Sequence, residues 1–456
     1  MPAVRHGWHL RDEIWYRVVL ALPLGMICAM FFVDHFNEAL MLGLGLGQLA
    51  AIVLGYVLMD RRNYKHKQPA ATNNGVHIVL TSNYKEERWM LERLIDSVKA
   101  NNPSWPVYVV IAAERGSNLV KENWNIQAAY PDMNVHIAIH ERGIPGERPG
   151  LGSNLHNAVK YINDTLPIDP KKAIITKIDG NCFVTNTLLN QIENAWRVGD
   201  ENTVLQLLME EIDPSTEEYK VLPFVLKYGW SGYLTRWFPY GNVLVVGGVG
   251  LVSTFCIPLQ LVNSYGNWDP WIIQEDNLTW SRTVAGSSGF PIFKFIRSEV
   301  FQAPPLTIYD QFKQHERSWG QSLRAHVIMY SNMTCSSKLI YMISGLFMDI
   351  TSRWQGVYTI IFAFQQIIGY QIQDWRVWIA LLAIQIVGII ISALHQVEVH
   401  KPASFSRAMY VFVNFVTLQI PLGILFALFN CYIYLRSWIT RESYESYHTT
   451  GVVSKQ

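Results

Sequence analysis

The chain has 456 residues, of which 50% are hydrophobic and only 16% are charged. Its 37 basic and 36 acidic residues nearly cancel, so no nucleic-acid partner is indicated. The length is sufficient for a large globular domain and a membrane domain, and so few charges are unusual for a wholly soluble protein. The five cysteines have no CxxC or CxxH spacing, which argues against a zinc site or a disulfide framework.

Two apolar runs near the N-terminus predict a hairpin of membrane-spanning helices. Residues 16–33 and 39–59 are each about as long as a bilayer core requires, and a short polar connection separates them. A secretory signal sequence has a single, shorter apolar run. Residues 60–67, which follow, are strongly basic, and this favours the cytoplasmic side of a membrane. The alternative is a basic linker with no topological meaning.

Between residues 69 and 325 no run is long and apolar enough to span, so this part is predicted to be a globular domain. Helices are predicted before residue 100 and from about residue 152. Strands that alternate with such helices predict an α/β domain with a parallel sheet. Ligands of such sheets bind beyond the carboxyl ends of the strands. The strands are predicted at residues 75–83, 106–113, 133–140 and 173–178.

After residue 325 the chain becomes apolar again. Residues 336–349 are amphipathic and are predicted to lie in a membrane interface. A basic loop at 400–407 again favours the cytoplasm. Pro421 leaves open whether the last spanning segment is one tilted helix or a bent one. The spanning candidates are residues 356–372, 377–394 and 409–435.

These features predict three regions. An N-terminal transmembrane hairpin occupies residues 1–68. A globular domain follows at 69–325, and interfacial helices with a C-terminal transmembrane region occupy 326–456.

Polar side chains follow the ends of the first two predicted strands. Tyr84 and Glu86 come directly after the first strand, and Glu114 follows the second. An aromatic ring and carboxylates at one rim of a sheet can stack on and hydrogen-bond a nucleotide base. Tyr and Glu are also common at helix starts, where a carboxylate stabilises the first turn, so each residue alone has a structural explanation.

The fourth predicted strand is followed by Asp179 and, two residues on, by Asn181. Oxygen ligands at this spacing suit a hard divalent cation, Mg²⁺ or Mn²⁺, that bridges a diphosphate. Such a cation would screen the phosphate charge and stabilise a departing nucleoside diphosphate. The alternative is an Asx-turn that closes the strand, and this segment alone does not separate the two.

Two further polar segments lie late in the predicted globular domain. Glu275 and Asp276 open a helix, where a carboxylate can act as general base toward an acceptor hydroxyl or stabilise the helix dipole. Gln314 and Arg317 share one helix face, and the guanidinium can clamp a diphosphate. Trp319 offers a flat surface to a sugar; the alternative is that it anchors the chain at a membrane.

In this order, the segments TSNYKEE, KIDGN, QEDN and QHERSW resemble motifs of the membrane-integrated family-2 glycosyltransferases. That group includes hyaluronan, chitin and cellulose synthases and, more distantly, ceramide glucosyltransferase. The resemblance covers residues 75–325; the joint order of the motifs is specific, whereas each motif alone is not. It implies an α/β fold, a GT-A-type nucleotide-sugar-binding domain inserted between N- and C-terminal transmembrane helices.

The resemblance also implies roles for particular residues. Asp276 would be the catalytic base, with Glu275 beside it. Asp179 and Asn181 would hold Mg²⁺ or Mn²⁺, and residues 246–250 resemble a glycine-containing segment near the acceptor. The residues implied to bind the nucleotide sugar are Tyr84, Glu86, Glu114, Asp179, Gln314, Arg317 and Trp319.

Four positions depart from the pattern of the group. Asn181 replaces a second aspartate of the metal motif and is a weaker, neutral ligand. Glu114 replaces an aspartate and has a longer side chain. Leu151 replaces a basic residue in GERPGLGSN, and Arg148 is the candidate to compensate. Trp319 stands one position late, which changes its direction by about 100° on a helix.

The implied reaction is a single displacement that converts an α-linked nucleotide sugar, UDP-linked by the resemblance, into a β-glycoside. The implied product is a polysaccharide made by a processive synthase, and the alternative acceptor is a membrane lipid that receives one sugar. A different class, an inactive transporter or membrane scaffold, is suggested by Asn181 and Leu151. No charged residue interrupts the best spanning runs, whereas transport helices usually contain buried polar or ionisable groups.

The expected location is the plasma membrane or an endomembrane, in a multi-pass arrangement with the catalytic domain in the cytosol. The sequons at Asn163, Asn277 and Asn332 are therefore expected to remain unglycosylated. The expected partners are the nucleotide sugar, a polysaccharide or lipid acceptor, and the lipid bilayer.

Overall fold

The structure is a computed structural model that describes fifteen stretches and single positions of the chain, and the elements are numbered within them. The described residues are 10–33, 35–58, 74–84, 86–145, 147, 150–210, 220, 222–230, 254–270, 292–302, 307, 309, 348–369, 375–400 and 402–439. The strands are β1 (Val76–Asn83), β2 (Val107–Glu114), β3 (Asn134–His140), β4 (Ala173–Ile178), β5 (Cys182–Val184), β6 (Thr203–Glu210), β7 (Phe255–Pro258) and β8 (Ile292–Gln302).

Helices lie both inside the α/β part of the chain and on either side of it. A 3₁₀ turn at Pro170–Lys172 and a π-helical turn at Val225–Trp230 complete the described elements. The helices are α1 (Leu10–Phe32), α2 (Phe36–Leu58), α3 (Arg88–Lys99), α4 (Asn118–Lys121), α5 (Ile126–Ala129), α6 (Leu151–Thr165), α7 (Leu188–Ala195), α8 (Leu259–Ser264), α9 (Met348–Ile367), α10 (Trp375–His400) and α11 (Phe405–Ile439).

The described strands form one mixed sheet in the order β3-β2-β1-β4-β7-β6-β8-β5. β1 is parallel to β2 and β4, and β2 is parallel to β3. The prediction of an α/β domain is confirmed, and the four predicted strands are parallel to one another, but the other strands make the whole sheet mixed. β7 runs antiparallel to both β4 and β6, and β5 runs antiparallel to β8.

The four strands predicted from the sequence are confirmed, and each boundary lies within one residue of its predicted position. They could be recognised because they are almost continuous apolar runs, as expected of strands that are covered on both faces. β4 is buried along its whole length. These strands form the half of the sheet whose carboxyl ends share one edge.

Two helices cover opposite faces of this half of the sheet. α6 packs a stripe of apolar residues, spaced three and four apart, on the face that includes Leu80 and Phe255. α3 packs a similar stripe on the other face, against Val79 and Ile111. The two stripes are Leu155, Ala158, Val159 and Ile162 in α6, and Leu91, Leu94, Ile95 and Val98 in α3.

The flanking helices α1, α2, α9, α10 and α11 pack together into a separate layer. Near the α1–α2 connection, the Asn37 amide donates to Gln365 Oε1 of α9 over 2.8 Å. Gly356 allows α9 to approach α11, since a methyl group there would lie 2.6 Å from Ala427 Cβ. Small residues allow this kind of close helix packing.

Within the described residues, two helical stretches are long and apolar enough to cross a membrane. They are Trp375–Leu394 in α10 and Phe405–Ile433 in α11. Ala21–Phe32 in α1 and Gly356–Ile367 in α9 are apolar but shorter. The two stretches are identified by their length and apolar composition only.

Two sequence predictions for this region can be compared with the helices. α11 is a single helix of 35 residues that continues through Pro421, so the last spanning candidate is one continuous helix. The amphipathic stretch 336–349 lies outside the described residues except for its last two positions, which begin α9.

The π-helical turn, which lies between β6 and β7 in the chain, packs against the flanking helices. The Tyr228 ring stacks on His400, at the end of α10, with ring centroids 6.1 Å apart. It also meets the edges of Tyr410 and Phe415 in α11. The connection between α10 and α11 therefore packs against a segment that lies between β6 and β7 in the chain.

Candidate functional site at the carboxyl edge of the sheet

Three of the predicted residues lie at the carboxyl ends of neighbouring parallel strands: Glu114 is the last residue of β2, and Tyr84 and Asp179 directly follow β1 and β4. Asn83 of β1 pairs with Ala113 of β2, one residue before Glu114. Thr81 of β1 pairs with Ile178 of β4, one residue before Asp179. Because parallel strands end at the same edge, Tyr84, Glu114 and Asp179 are brought to one rim of the sheet.

Tyr84, Glu114 and Arg142 meet around Gly116. A methyl group added at Gly116 would lie 3.8 Å from Tyr84 Cε2, from Glu114 Oε1 and from Arg142 Nη1. Glu114 is only 3% exposed, and its Oε1 lies 3.0 Å from Arg142 Nε. A buried carboxylate needs such a partner. The pair presents an acceptor and a donor beside an aromatic ring.

Backbone hydrogen bonds hold the end of β1 against the segment that follows β2. The Asn118 N–H donates to the Tyr84 carbonyl over 2.8 Å, and the Leu119 N–H donates to Asn83 Oδ1 over 3.2 Å. The Asn83 side-chain amide in turn donates to the Glu86 carbonyl over 3.3 Å. The positions of Tyr84 and Glu86 are thus set by the protein itself.

Glu86 lies beside the turn that follows β4. Its Oε2 accepts the Tyr84 N–H over 2.6 Å. A methyl group at Gly180 would lie 3.4 Å from Glu86 Cγ and 2.2 Å from the Ser82 carbonyl oxygen. Only glycine allows this approach, and it brings the turn that contains Asp179 against the end of β1.

The turn itself is closed by the main chain. The Cys182 N–H donates to the Asp179 carbonyl over 2.9 Å, so the Asp179 carboxylate is not needed to close it as an Asx-turn would require. The carboxylate instead faces Lys177, whose Nζ lies 3.1 Å from Oδ1. Asn181 is half-buried, and its Oδ1 lies 3.9 Å from Cys182 Sγ.

Two pairs of ionisable side chains lie next to this edge of the sheet. Arg115 and Glu141 form an exposed ion pair, in which the hydrogen bond to Arg115 lowers the pKa of Glu141. His140 Nε2 lies 2.7 Å from Glu147 Oε2. These contacts join the ends of β2 and β3 to the segment before α6.

The donor atoms at the turn after β4 are compatible with a divalent cation that binds together with phosphate. Among the described residues, no group of three or more His, Cys, Asp and Glu side chains is arranged to hold a metal ion. Mg²⁺ is commonly held by one or two carboxylates, with phosphate oxygens and water as the other ligands. One carboxylate and one amide, from Asp179 and Asn181, meet that requirement.

The remaining predicted residues lie outside the described part of the chain. Glu275 and Asp276 begin five residues beyond Pro270, the last described residue before them. The chain that leads to them is attached to α6, because His156 Nδ1 lies 2.7 Å from the Trp268 carbonyl oxygen. Also outside are the segment 246–250 and the residues Arg148, Gln314, Arg317 and Trp319.

Two residues at the site were not singled out from the sequence. Arg142 pairs with Glu114, and Lys177 pairs with Asp179. A lysine within the otherwise apolar strand β4 is a signal that the sequence does contain, since lysine is rarely buried without a partner. Arg142 lies in a connection, and nothing in its local sequence indicates its partner.

No protein-family model and no curated protein matches the chain. Among solved structures, a mannosyltransferase from Pyrobaculum calidifontis in complex with GDP-Man and Mn²⁺ is 13% identical and has a TM-score of 0.49, with 89% of this chain and 100% of that chain covered. S. aureus TarS 1–349 in complex with UDP-GlcNAc is 12% identical, with a TM-score of 0.37 and coverages of 75% and 90%.

Glucosyl-3-phosphoglycerate synthase from Mycobacterium tuberculosis, in complex with Mn²⁺, UDP and phosphoglyceric acid, is 12% identical. Its TM-score is 0.34, and the alignment covers 55% of this chain and 78% of that chain. Because all three TM-scores are below 0.5, these similarities do not establish the activity of this chain.

Proposed function

We propose that this chain is an inverting family-2 glycosyltransferase that transfers a sugar from a nucleoside-diphosphate donor. The observation that carries the proposal is the meeting of Tyr84, Glu114 and Asp179 at one sheet edge, although they come from segments far apart in the chain. Such a donor has an aromatic base and a diphosphate, and the rim offers groups suited to both.

The base is assigned to the pocket around Gly116. The Tyr84 ring supplies a stacking surface. Glu114 and Arg142, with Oε1 and Nε 3.0 Å apart, supply an acceptor and a donor side by side for the polar edge of the base. Glu86 supports this pocket by accepting the Tyr84 N–H.

The diphosphate is assigned to the turn after β4. Asp179 and Asn181 would hold Mg²⁺ or Mn²⁺ together with the phosphate oxygens. When bound, the cation would neutralise charge on the leaving nucleoside diphosphate. The turn lies next to β1, so the diphosphate can extend from a base held at Tyr84.

The reacting groups are assigned from the motif resemblance. Asp276, with Glu275 beside it, takes the proton of the acceptor hydroxyl as its oxygen attacks the anomeric carbon. The bond from that carbon to the phosphate oxygen breaks, and its electron pair leaves with the nucleoside diphosphate. Gln314 and Arg317 hold the diphosphate, and Trp319 lines the acceptor side.

A membrane location is supported by the outer surfaces of α10 and α11. α10 exposes Ile379, Leu382, Ile386 and Leu394, of which Leu382 is 61% exposed. An apolar stripe of this length is unfavourable in water and suits lipid. We assign these helices, with α1, α2 and α9, to a multi-pass membrane region in the plasma membrane or an endomembrane.

The cytosol is the proposed side for the catalytic domain. The basic segment 60–67 stands between α2 and β1 in the sequence, and we assign the basic connection 400–407 to the same side. The contact of His400 with Tyr228, from the segment between β6 and β7, supports this assignment. Two basic connections on one side favour the cytoplasm.

A growing polysaccharide is the proposed acceptor. The resemblance of the motifs to those of polysaccharide synthases supports this choice over a single-sugar transfer to lipid. The number of flanking helices that pack together also supports it; they are α1, α2, α9, α10 and α11.

The test is incubation of the purified full chain with UDP- and GDP-linked sugars and Mn²⁺, followed by sizing of the product. Release of nucleoside diphosphate with a long polymer is expected; a product with one added sugar on lipid would replace the polymer proposal. If no nucleoside diphosphate is released from any of the nucleotide sugars, the assignment as an enzyme is wrong.

Asp276→Asn is expected to lower turnover by about 10²–10⁴-fold, because it removes the general base, while UDP binding remains close to that of the wild type. The matched control is Asp132→Asn, since Asp132 is exposed and precedes β3 at the opposite edge of the sheet. Near-normal turnover of Asp276→Asn would show that another group is the base.

A further inference from the structure

Lys177 is a buried cation beside the proposed diphosphate site. Lys177 is 1% exposed. It lies in β4 and is paired, across the sheet, with Leu80 of β1 and Phe255 of β7. Paired residues of neighbouring strands point to the same face, so the lysine side chain extends along the face that α6 covers. Its Nζ reaches Asp179 Oδ1 at 3.1 Å.

Because of this contact, the two carboxylate oxygens of Asp179 have different surroundings. Oδ1 has almost no accessible surface, whereas the side chain as a whole is 25% exposed. Lys177 therefore holds Oδ1 toward the protein interior and leaves Oδ2 as the oxygen for a ligand. Because β4 is a rigid central strand, this orientation does not depend on a ligand.

The same contact changes the charge that a cation would meet. Asp179 contributes one negative charge, Lys177 cancels it, and Asn181 is neutral. Glu86 is the other carboxylate beside the turn, and its Oε2 already accepts the Tyr84 N–H. These four groups together carry one net negative charge, so the turn can orient a divalent cation but attracts it less strongly than Asp179 and Glu86 would without Lys177.

We propose that Lys177 is a positioning residue that makes divalent-cation binding at Asp179 depend on the diphosphate. This inference rests on the proposed function. Without nucleotide, repulsion from the lysine ammonium keeps the affinity for the cation low; with nucleotide, the negative charges of the diphosphate supply the missing attraction. The reciprocal effect must be of equal size, so the cation raises nucleotide affinity by the same factor.

The test measures free Mn²⁺ by electron paramagnetic resonance in titrations of the purified full chain, with and without UDP. The wild type is expected to bind Mn²⁺ weakly alone and about tenfold or more tightly with UDP. Lys177→Met is expected to bind Mn²⁺ about tenfold more tightly without UDP, with a smaller gain from UDP. A gain in affinity cannot result from mere loss of structure.

Two variants serve as controls. Lys294→Met removes a half-buried lysine of another strand, β8, whose Nζ donates to the Ala195 carbonyl away from Asp179, and should leave Mn²⁺ affinity unchanged. Asp179→Asn, added to Lys177→Met, should abolish the gain.

Unchanged or weaker Mn²⁺ binding by Lys177→Met, with UDP still bound, would overturn this role and leave the proposed function intact. If Lys177→Met does not fold, the wild type alone tests the proposal. Equal Mn²⁺ affinity with and without UDP would overturn the proposed role of Lys177, and stronger Mn²⁺ binding with UDP would support it. Failure of UDP and GDP to bind even with Mn²⁺ would instead overturn the proposed function.

Discussion

At the scale of single residues, polar contacts hold the rim of the sheet in place without any ligand. Asn83 is fully buried and bonds to both the Leu119 N–H and the Glu86 carbonyl. Gly180 lies against the Ser82 carbonyl, where a side chain has no room. A binding site that is already ordered loses less entropy when its ligand binds.

Gly180→Ala should therefore destabilise the protein and weaken UDP binding. The added methyl group would lie 2.2 Å from the Ser82 carbonyl oxygen, so the turn with Asp179 must move, at a cost of about 1–3 kcal/mol. Thermal unfolding and UDP titration measure the two effects.

Gly116→Ala is the matched control for stability, because its methyl group would meet its neighbours at 3.8 Å, an ordinary contact distance. Its melting temperature should stay close to that of the wild type. Equal melting temperatures for both variants would show that the close approach at Gly180 is not needed.

At the scale of secondary-structure elements, the opposite end of β1 is fixed by a buried polar network. His77 Nε2 lies 3.1 Å from Glu193 Oε1 of α7. The same carboxylate accepts the Ser104 hydroxyl at 2.6 Å and the Trp105 N–H at 2.9 Å. One side chain of α7 thus joins β1 to the segment before β2.

This network makes stability depend on pH. Burial lowers the pKa of His77 below 6.5, so below that pH the unfolded chain binds a proton that the folded chain does not. Burial alone would raise the pKa of Glu193, but the bonds from His77, Ser104 and Trp105 lower it below 4.5. Both groups therefore make the protein less stable as the pH falls, His77 first.

His77→Gln should reduce the loss of thermal stability between pH 7.5 and pH 5.5, because glutamine keeps a donor to Glu193 and does not titrate. Each kcal/mol of difference in the free energy of unfolding corresponds to about 2–4 °C in Tm for a domain of this size. His35→Gln is the control, since His35 is exposed. An identical pH dependence in His77→Gln and the wild type would exclude His77 as the source.

The elements differ in how far the sequence could predict them. β4 was predicted at its observed bounds because it is a mostly apolar run that ends before Asp179 and Gly180, whereas β7, with four residues, has too little pattern to show its antiparallel pairing with β4. The strand-end positions of Tyr84, Glu114 and Asp179 were predictable for the same reason as β4. The partners Arg142 and Lys177 were not, because register and loop path decide which charges meet.

At the scale of the whole molecule, the helical layer is contacted by a segment that lies between β6 and β7 in the chain. α2 leads toward β1, and Tyr228 packs on the α10–α11 connection at His400. The bond between Asn37 and Gln365 places the start of α2 and the end of α9 together, and the α1–α2 connection lies there. The connections are thus divided between two ends of the layer.

Asn163, the one predicted sequon within the described residues, belongs to the α/β side. Its side-chain amide exchanges hydrogen bonds of 2.9 and 3.0 Å with Asn263, and a glycan on Asn163 Nδ2 would replace one of the hydrogens on the nitrogen that donates to Asn263. An unmodified Asn163 therefore agrees with the packing as well as with the proposed cytosolic location.

The two ends of the helical layer should be accessible from opposite sides of a membrane. Ser404, in the α10–α11 connection, and His35, in the α1–α2 connection, are both exposed. In a variant without native cysteines, Ser404→Cys should react with an impermeant maleimide from the cytosolic face of sealed vesicles. His35→Cys should react only from the other face, because an odd number of spans separates the two positions. If both cysteines react from the same face, the multi-pass arrangement is wrong. If Ser404→Cys reacts only from the outer face and His35→Cys only from the cytosolic face, the catalytic domain lies outside the cytosol.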